Sequence, residues 1–593
     1  MRRIFAAALA AVAIAATSAQ SADAAQQRTA RNYVTVYEHG VTLANAKAAV
    51  RAIGGRVVAT RPALHAMLVS SSRRDFRSAA LRSRVLKGAV LNQVIGRTTV
   101  RASDAAPAAK PDPVENEGRR YGGGDGGVTV RKSSSGLTEP LAGWQWDMRM
   151  IGATPSGSYS TQRGSKNVIV AVIDTGIDAS HPDIAPNFNK GLSHNWTTDI
   201  PLVDGKCAQD PDHSCHDPND VDEDGHGTHV AGTIAAPING LGMAGVAPNV
   251  TLVNDRAGQD SGLFFLWQTV SALVYAGQIG ADVANMSFYT DPWQYNCPSS
   301  HPAVSPADGT PTDSPQQRAE QQLVLDLIQG AVDDAVDHGV TLVSAAGNFH
   351  SNLDGSTTDD TSPDYPPGSE TIRVVSDWCR DMPTEADGVI SVTSVGPSGA
   401  KADYSNYGAG LETGGTGDDP AGEIDVAAPG GYFRDAFGTP QYQTPQNEIL
   451  GPYPLGVARA AGDVDATGNP TSPFVVRDCS AETTNTQAQP GCAYYQLVQG
   501  TSMASPHAAG VAALIVSQFG TPDRVHGGLT MDPAEVRERL RATATDHACP
   551  DPATVDYTVV GQPANWNATC NGTPDYNGFY GDGVVNAESA VGG

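Results

Sequence analysis

The stretch GTSMASPHAAGVAALIVSQF, residues 500–519, decides the fold. A turn of small residues, Gly500-Thr501, leads into Ser502, and an uncharged run of Ala, Gly, Val, Leu and Ile follows. A run this short predicts a buried core helix and not a membrane span. Pro506 is expected in the first turn, where no backbone N–H is needed. Ser502 then lies at the positive end of a buried helix, where it either caps the helix or lies beside a developing negative charge.

Charge is distributed unevenly along the 593 residues. The whole chain has a formal net charge of −26, yet residues 27–135 carry 19 Lys and Arg against 7 Asp and Glu. Two segments of opposite sign suggest that one binds the other, although each set of charges could also only solvate its own surface. The acidic main body argues against nucleic acid as a partner.

The start of the chain predicts export. Residues 1–24 have a basic beginning, an apolar core and a small-residue cleavage site at 22–24, with 17–19 as the alternative site. The apolar core is too short for a permanent anchor, and no later stretch is long enough to span a bilayer. We therefore expect a secreted, extracellular product with no membrane association after signal removal.

Composition divides the remaining chain into three parts. Residues 31–100 predict a small α+β unit, and residues 101–140, rich in Pro, Gly, Ser and charge, predict a linker with a processing site. From residue 141 to residue 593 strands and helices alternate, which predicts an α/β domain with a mainly parallel central sheet. Three Gly-, Pro- and Asp-rich stretches are expected to be long surface insertions: 349–387, 409–422 and 431–498.

Hydrophobic periodicity locates the individual elements. In the small unit it predicts strands at 33–37, 57–60 and 64–70, and helices at 43–53 and 73–86. In the α/β domain it predicts strands at 168–176, 281–288, 340–348 and 389–395, and helices at 263–279, 320–338 and 533–544, besides the helix after Ser502.

All eight cysteines lie beyond residue 200, and no CxxC zinc pattern occurs. An even number of cysteines in an exported chain predicts disulfides. Eight cysteines allow many connectivities. Proximity in sequence favours Cys207–Cys215, Cys479–Cys492 and Cys549–Cys570, which leaves Cys297–Cys379.

Four polar residues stand where the ends of predicted elements should meet. Asp174 and Asn348 each end a strand, whereas His226 and Ser502 each precede a helix. Side chains at the carboxyl ends of parallel strands gather at one edge of the sheet. Attack by a hydroxyl needs a base, an acceptor that orients the base, and a donor for the oxyanion, and Asp, His, Asn and Ser supply these parts.

Together with their neighbours, these residues resemble the subtilisin-like serine proteases, or subtilases. The matching stretches are VIDTGIDASHPD, GHGTHVAGTIAA, GMAGVAPN, ADVANMSF, LVSAAGN, DVAAPGG and GTSMASPHAAG, and the resemblance runs from about Trp144 to Ala590. It implies a three-layer subtilisin-like catalytic domain and a serine endopeptidase that acts, as a monomer, on polypeptide substrates.

The resemblance also implies a role for each residue of the constellation. Asp174 would orient His226, and His226 would act as general base and then as general acid. Ser502 would be the nucleophile. The side chain of Asn348 and the backbone N–H of Ser502 would form the oxyanion hole.

The N-terminal unit resembles the propeptide of this family by its strand–helix pattern and position. The resemblance implies that residues 31–100 act as an intramolecular inhibitor and folding chaperone, and that the protein matures from a zymogen. The basic character of this region beside an acidic catalytic domain fits that role.

A structural Ca²⁺ site is implied by two further matches, HPD at 181–183 and APINGLGM at 236–243. Hard oxygen ligands in a loop suit this cation. Asp183 and Asn239 would supply side-chain oxygens, and the backbone carbonyls of Pro237, Leu241 and Met243 would complete the site. The alternative is an ordinary turn that contains Asn.

The substrate-binding residues are implied to be Ser287, Phe288, Tyr289 and Gly347. The family commonly has Leu-Gly-Gly after the ANMS stretch, whereas this chain has Phe288-Tyr289-Thr290. Bulky side chains there are expected to narrow the primary pocket or to reshape the neighbouring subsites, so the sequence leaves the cleavage specificity open.

Two rival functions use the same fold. Insertions that close one end of the cleft would give a tripeptidyl-type exopeptidase, which releases only short fragments of uniform size. An exported binding scaffold with an inert site would need a catalytic residue to be missing, and all four are present. An α/β-hydrolase is disfavoured because its order would be Ser, then acid, then His.

Overall fold

The structure, a computed structural model, describes residues 30–93, 114–121, 127–130, 139–207, 213–410, 423–480 and 492–592. The chain divides into two units, and the described residues from 114 onwards belong to the second. The predicted signal peptide, most of the predicted linker and most of the 409–422 insertion lie outside the described residues. In the ranges given, no helix is both long and apolar enough to cross a bilayer.

The first unit is a four-stranded antiparallel sheet with two helices. Its elements are β1 (Arg31–Tyr37), α1 (Leu43–Ala52), β2 (Arg56–Arg61), β3 (Ala66–Ser71), α2 (Phe76–Leu81) and β4 (Leu86–Gln93), and the strand order is β2-β3-β1-β4. The core contains Tyr33 and Phe76, whose ring centroids lie 4.8 Å apart. The helix predicted at 73–86 was too long, because the Ser83 hydroxyl accepts the N–H groups of Val85 and Leu86 and turns the chain into β4.

The second unit contains the remaining elements. Its helices are α3 (Glu117–Tyr121), α4 (Trp146–Met150), α5 (His226–Ala235), α6 (Leu266–Gln278), α7 (Pro315–Asp337), α8 (Leu455–Ala460), α9 (Thr501–Phe519), α10 (Pro533–Ala542) and α11 (Ala587–Val591). Its strands are β5 (Val128–Val130), β6 (Ile169–Ile173), β7 (His194–Asn195), β8 (Thr251–Arg256), β9 (Val283–Met286), β10 (Thr341–Ala345), β11 (Thr357–Asp359), β12 (Arg373–Val375), β13 (Val389–Val395), β14 (Val426–Pro429), β15 (Ile449–Pro452), β16 (Val475–Asp478), β17 (Ala493–Val498), β18 (Thr521–Pro522), β19 (Leu529–Thr530), β20 (Thr554–Val555) and β21 (Ala568–Thr569).

A seven-stranded sheet in the order β14-β13-β10-β9-β6-β8-β7 forms the centre of this unit. Every neighbouring pair in it is parallel. Helix α5 packs against α9, and α6 packs against α7, which supplies the helix layers. The prediction of an α/β domain with a mainly parallel central sheet is therefore confirmed.

Strand β6 lies between β8 and β9 and ends directly before Asp174. Its central residues are fully buried, as expected for a parallel strand that is covered on both faces. Strand β8 was not predicted, since it ends in Asn254, Asp255 and Arg256, which are polar and also buried. The polar residues of β8 broke the apolar pattern by which strands were predicted, although β8 lies between β6 and β7 in the sheet.

Helix α9 is the buried core helix that the sequence predicts, and residues 501–516 are all buried. The placement of Pro506 in the first turn was wrong, because the helix begins at Thr501 and Pro506 falls in the second turn. A proline there leaves the Ser502 carbonyl without its usual helical donor. The hydroxyl of Ser287 donates to that carbonyl at 3.0 Å instead.

The stretches predicted as surface insertions carry buried structure of their own. In 349–387, Arg373 is fully buried and pairs with Asp313 and Asp359. In 431–498, strands β15, β16 and β17 form a second sheet with a buried apolar face. High Gly, Pro and Asp content indicated irregular backbone but not exposure, because buried ion pairs and hydrogen bonds satisfy these polar groups.

The predicted linker also contains ordered structure. Strand β5 pairs in parallel with β16, and the N–H of Cys479 donates to the carbonyl of Val130. Helix α3 lies in the second unit as well. At least two parts of the stretch 101–140 thus belong to the second unit.

The cysteine pairing hypothesis is confirmed. The four disulfides are Cys207–Cys215, Cys297–Cys379, Cys479–Cys492 and Cys549–Cys570. All four lie in the second unit, and the Cys297–Cys379 bond ties the 349–387 insertion to the segment that follows β9.

Candidate active site

Asp174 and His226 meet at the carboxyl edge of the central sheet. Asp174 follows β6 and is fully buried, and His226 is the first residue of α5. The Nδ1 of His226 lies 2.7 Å from Oδ1 of Asp174, which also accepts the backbone N–H of Thr175 at 2.7 Å. The carboxylate therefore holds the imidazole with its Nε2 directed away from the sheet.

Ser502 lies in the first turn of α9, where free backbone N–H groups and the helix dipole favour negative charge. Its hydroxyl is 3.4 Å from the carbonyl oxygen of Ser287. The reciprocal bond from the Ser287 hydroxyl to the Ser502 carbonyl fixes the segment after β9 against this helix start. Both Ser502 and His226 line the same cleft, which has a volume of about 820 Å³.

Asn348 lines this cleft as well, and its amide is oriented by Thr501. Its Oδ1 accepts both the backbone N–H of Thr501 at 2.9 Å and the Thr501 hydroxyl at 2.8 Å. An amide whose oxygen is held in this way has its Nδ2 donor on the other side. Gly347 before it has a φ of +103°, and a Cβ there would lie 2.4 Å from Nδ2 of Asn406, so only glycine fits.

The side chain of Glu115 lies between the histidine and the serine. Its Oε1 is 3.4 Å from Nε2 of His226, and it interacts with the side chain of Ser502. The segment is held by Gln499, whose Nε2 donates to the Val114 carbonyl at 3.1 Å and to the Glu117 carboxylate at 3.1 Å. Sequence reasoning missed Glu115, because it lies in a stretch with the composition of a linker.

Two carboxylates control the protonation of His226. Burial acts to lower its pKa, but the negative charges of Asp174 and Glu115 outweigh burial and raise the pKa well above its usual range. Burial likewise acts to raise the pKa of Glu115, yet the charge and hydrogen bond of His226 lower it overall. With Glu115 present, the stable arrangement is an imidazolium between two carboxylates.

The residues after Ser287 form aromatic walls of the cleft. The ring of Phe288 stacks on Phe264 with a centroid distance of 4.0 Å and parallel planes. Tyr289 contacts Phe349 edge to face, and its hydroxyl donates to Asp364 at 2.7 Å. Ser287, Phe288, Tyr289 and Gly347 all line the cleft. The bulky side chains are therefore held against other groups around the cleft.

Four of the five residues predicted to bind calcium are joined by hydrogen bonds. Asp183 is fully buried, and its carboxylate accepts Nδ2 of Asn239 at 3.0 Å and the N–H of Met243 at 3.0 Å. The Oδ1 of Asn239 accepts the N–H of Leu241 at 2.8 Å, and Pro237 lies in the same loop. In this arrangement hydrogen-bond donors converge on Asp183.

Comparison with known proteins adds to this geometry. A model of the subtilase family matches residues 165–568. Subtilisin DY of Bacillus licheniformis is 29% identical over 384 residues, which are 64% of this chain and 84% of that protein. Subtilisin E of Bacillus subtilis is 27% identical over 379 residues, and the match covers 64% of this chain but only 61% of that protein.

Among solved structures, the epidermin leader peptide processing serine protease from Staphylococcus aureus shares the fold. It is 19% identical, with a TM-score of 0.57 over 95% of this chain and 98% of that one. The matched family region covers more than half of the chain, and Asp174, His226, Asn348 and Ser502 all fall within it. The chain therefore belongs to the subtilase family of serine proteases.

Proposed function

We propose that this protein is an exported serine endopeptidase that hydrolyses peptide bonds through an acyl-enzyme on Ser502. The observation that carries the proposal is the 2.7 Å contact between His226 Nδ1 and Asp174 Oδ1, because it directs Nε2 into the cleft that Ser502 also lines, where Nε2 now contacts Glu115. This is the geometry that a histidine base needs.

In the proposed mechanism, His226 Nε2 removes the proton of the Ser502 hydroxyl as its oxygen attacks the carbonyl carbon of the substrate. Asp174 stabilises the imidazolium that forms. Nδ2 of Asn348 and the backbone N–H of Ser502 donate to the oxyanion. His226 then protonates the leaving amine, and a water molecule, activated by the same histidine, releases the acyl group.

Endopeptidase action is proposed over exopeptidase action on the extent of the cleft. Residues from segments as far apart in sequence as 199–207 and 453–461 line it together with Ser502. With a volume of about 820 Å³, such a cleft is proposed to accommodate more than a tripeptide. Digestion of an unlabelled protein substrate tests this, since fragments of varied length support an endopeptidase and uniform tripeptides would support the exopeptidase.

We also propose that the protein is made as a zymogen and that the segment 114–121 blocks the site before processing. Glu115 occupies the space between base and nucleophile. An imidazolium cannot accept the serine proton, so the segment would inhibit chemically as well as sterically. The N-terminal unit, residues 31–100, would act as the intramolecular inhibitor and chaperone. Cleavage within 101–140 would release the segment 114–121 from the active site.

A structural Ca²⁺ is proposed for the loop around Asp183. Two further buried carboxyls lie near it: Glu139 accepts the N–H of Gly240 at 2.7 Å, and Asp478 accepts the N–H of Gly242 at 2.6 Å. Burial raises the pKa of Glu139 to about 7 and raises that of Asp183 strongly. A cation here would offset the cost of burying these carboxylates in their charged form. The side-chain oxygens of Asp183 and Asn239 would hold it, together with the backbone carbonyls of Pro237, Leu241 and Met243.

The decisive test of the proposed function uses a fluorophosphonate probe and the Ser502→Ala variant. The secreted wild-type protein should be labelled at Ser502 and should cleave casein, whereas the variant should do neither. Mass spectrometry of the same product gives the mature N-terminus. Full proteolysis by the Ser502→Ala protein would refute the proposal.

A further inference from the structure

Asp381 is a buried carboxyl group in the wall of the active-site cleft. It lines the cleft together with Ser502, yet the residue is only 2% exposed. Within the described part of the chain, its Oδ1 has no hydrogen-bond partner. A buried carboxyl normally has a cation or several donors beside it, because the cost of removing it from water is otherwise not offset.

The backbone holds Asp381 between the two segments that flank Ser502. The N–H of Thr290 donates to the carbonyl of Met382 at 2.8 Å, which joins the Asp381 segment to the one that begins at Ser287. The hydroxyl of Thr384 donates to the carbonyl of Ala345 at 2.7 Å, which joins it to the other segment. These two hydrogen bonds hold the segment of Asp381 on both sides.

Its carboxylate lies beside the proposed oxyanion hole. A Cβ on Gly347 would be 3.4 Å from Oδ2 of Asp381, and Gly347 directly precedes Asn348. Asn348 would hold the carbonyl oxygen under attack. The substrate side chain nearest to Asp381 therefore belongs to the residue that contributes this carbonyl.

The basic residues of the 349–387 insertion do not neutralise Asp381. Arg373 pairs with Asp313 and Asp359, and Arg380 pairs with Asp387. Burial and the nearby charge of Asp359 raise the pKa of Asp381 well above its usual range, and among the described residues no cation acts against them. The missing partner is a positive charge.

The other carboxyl groups around this part of the cleft already have partners. Asp291 and Asp364 hydrogen-bond to each other, Asp291 also accepts the N–H of Phe264, and Asp364 accepts the Tyr289 hydroxyl. Asp364 also has one oxygen, Oδ1, without a hydrogen-bond partner, but its other oxygen accepts from Tyr289, whereas no described group donates to the carboxylate of Asp381. The aromatic rings of Phe288 and Tyr289 lie around the same cleft and offer apolar surface to an aliphatic stem.

We propose that Asp381 is the specificity-determining residue of the cleft and that the enzyme cleaves on the carboxyl side of lysine or arginine. The cationic head of the substrate side chain forms an ion pair with Asp381 while its methylene stem packs against the aromatic walls. This inference rests on the proposed function, and it assigns the substrate class that the bulky Phe288-Tyr289 pair leaves undetermined.

Matched peptide substrates that differ only at the residue before the scissile bond test the inference. Lysine and norleucine have nearly the same stem, and only lysine carries the charge. For the mature wild-type enzyme, kcat/KM for the lysine peptide should exceed that for the norleucine peptide by roughly 10–100-fold, the usual effect of one hydrogen-bonded charge. Asp381→Asn should remove most of this ratio, chiefly by reducing cleavage of the lysine peptide.

Asp377→Asn is the matched control, because Asp377 is an exposed residue of the same segment and its loss leaves the Arg380–Asp387 ion pair in place, so the ratio should be unchanged. Titration of Ser502 with the fluorophosphonate probe gives the folded, active fraction of each variant. An enzyme that labels but cleaves both peptides equally would overturn the assignment of Asp381 and leave the proposed function intact, whereas absence of labelling would overturn the function itself.

Mapped cleavage sites of the wild-type enzyme in an unlabelled protein keep the test independent of how the variant folds. Predominance of lysine and arginine before the cut supports the inference, and predominance of apolar residues overturns it. Retention of the lysine preference in Asp381→Asn also overturns it.

Discussion

Two neighbouring residues, Thr501 and Gly347, fix the orientation of the Asn348 side chain. Thr501 donates two hydrogen bonds to the amide oxygen of Asn348, and the left-handed backbone of Gly347 directs the Asn348 side chain to the cleft. The amide nitrogen therefore faces the cleft without a large loss of side-chain freedom when a substrate arrives. A donor fixed in this way stabilises the transition state more than the ground state.

We expect Asn348→Ala to lower kcat by about 10²–10³-fold, the usual effect of losing one oxyanion-hole donor, with little change in KM. Steady-state kinetics on a peptide substrate would measure both parameters. Asn352→Ala is the control, since Asn352 supports only a nearby turn. A variant with unchanged kcat and raised KM would mean that Asn348 binds substrate without acting in the transition state.

At the scale of elements, the segment 114–121 is the part of the chain whose structure departs most from the prediction made from the sequence. It carries the composition of a linker, yet its residues reach Gln499, Arg434 and Asp463 of the catalytic unit. Glu115, together with Asp174, raises the pKa of His226, so the fraction of His226 that is neutral and can act as a base depends on pH while the segment is bound. An imidazole with a raised pKa stays protonated up to higher pH, and deprotonation as the pH rises through that pKa restores the base.

Processing of the precursor should therefore speed up as pH rises, and Glu115→Gln should shift the whole profile to lower pH, since it removes one of the two charges that raise the pKa of His226. The rate of appearance of the mature form, followed on gels across a pH series, measures the shift. Glu535→Gln removes an exposed charge elsewhere and serves as the control. Identical pH profiles for Glu115→Gln and the wild type would contradict this role for Glu115.

At the scale of the whole molecule, the loop around Asp183 joins distant parts of the second unit. Tyr495 of β17 donates to Asp183 at 2.8 Å, and Glu139 at the start of the domain accepts the N–H of Gly240. A cation bound to these carboxyls would couple the second sheet to the central one. Binding to the folded state alone raises stability in proportion to the logarithm of the free ion concentration over its Kd.

Removal of calcium with a chelator should therefore lower the Tm of the Ser502→Ala protein by roughly 2–6 °C. Scanning calorimetry with and without added Ca²⁺ measures the difference. In Asp183→Asn the Tm should no longer respond to calcium, whereas Asp465→Asn, which alters an exposed turn, should respond as the parent does. An equal Tm in chelator and in calcium for the parent would exclude the ion.

Much of the central architecture could be predicted because its signals are local. Buried parallel strands such as β6 and β13 are apolar over most of their length, and His226 and Ser502 lie at the starts of helices rich in small residues. The other features depend on neighbours that are distant in sequence. Asp381 and Glu115 look like ordinary loop acids, and only the folded chain brings each of them into the cleft, so no local pattern could assign them.

The four disulfides have a consequence for a protease that is surrounded by copies of itself. Such an enzyme digests its own kind first at exposed backbone, and the disulfides Cys207–Cys215 and Cys479–Cys492 each close a short covalent ring in the chain. One cut inside a ring leaves both ends attached. Aged preparations should accordingly stay intact on non-reducing gels and fall into fragments only once a thiol is added.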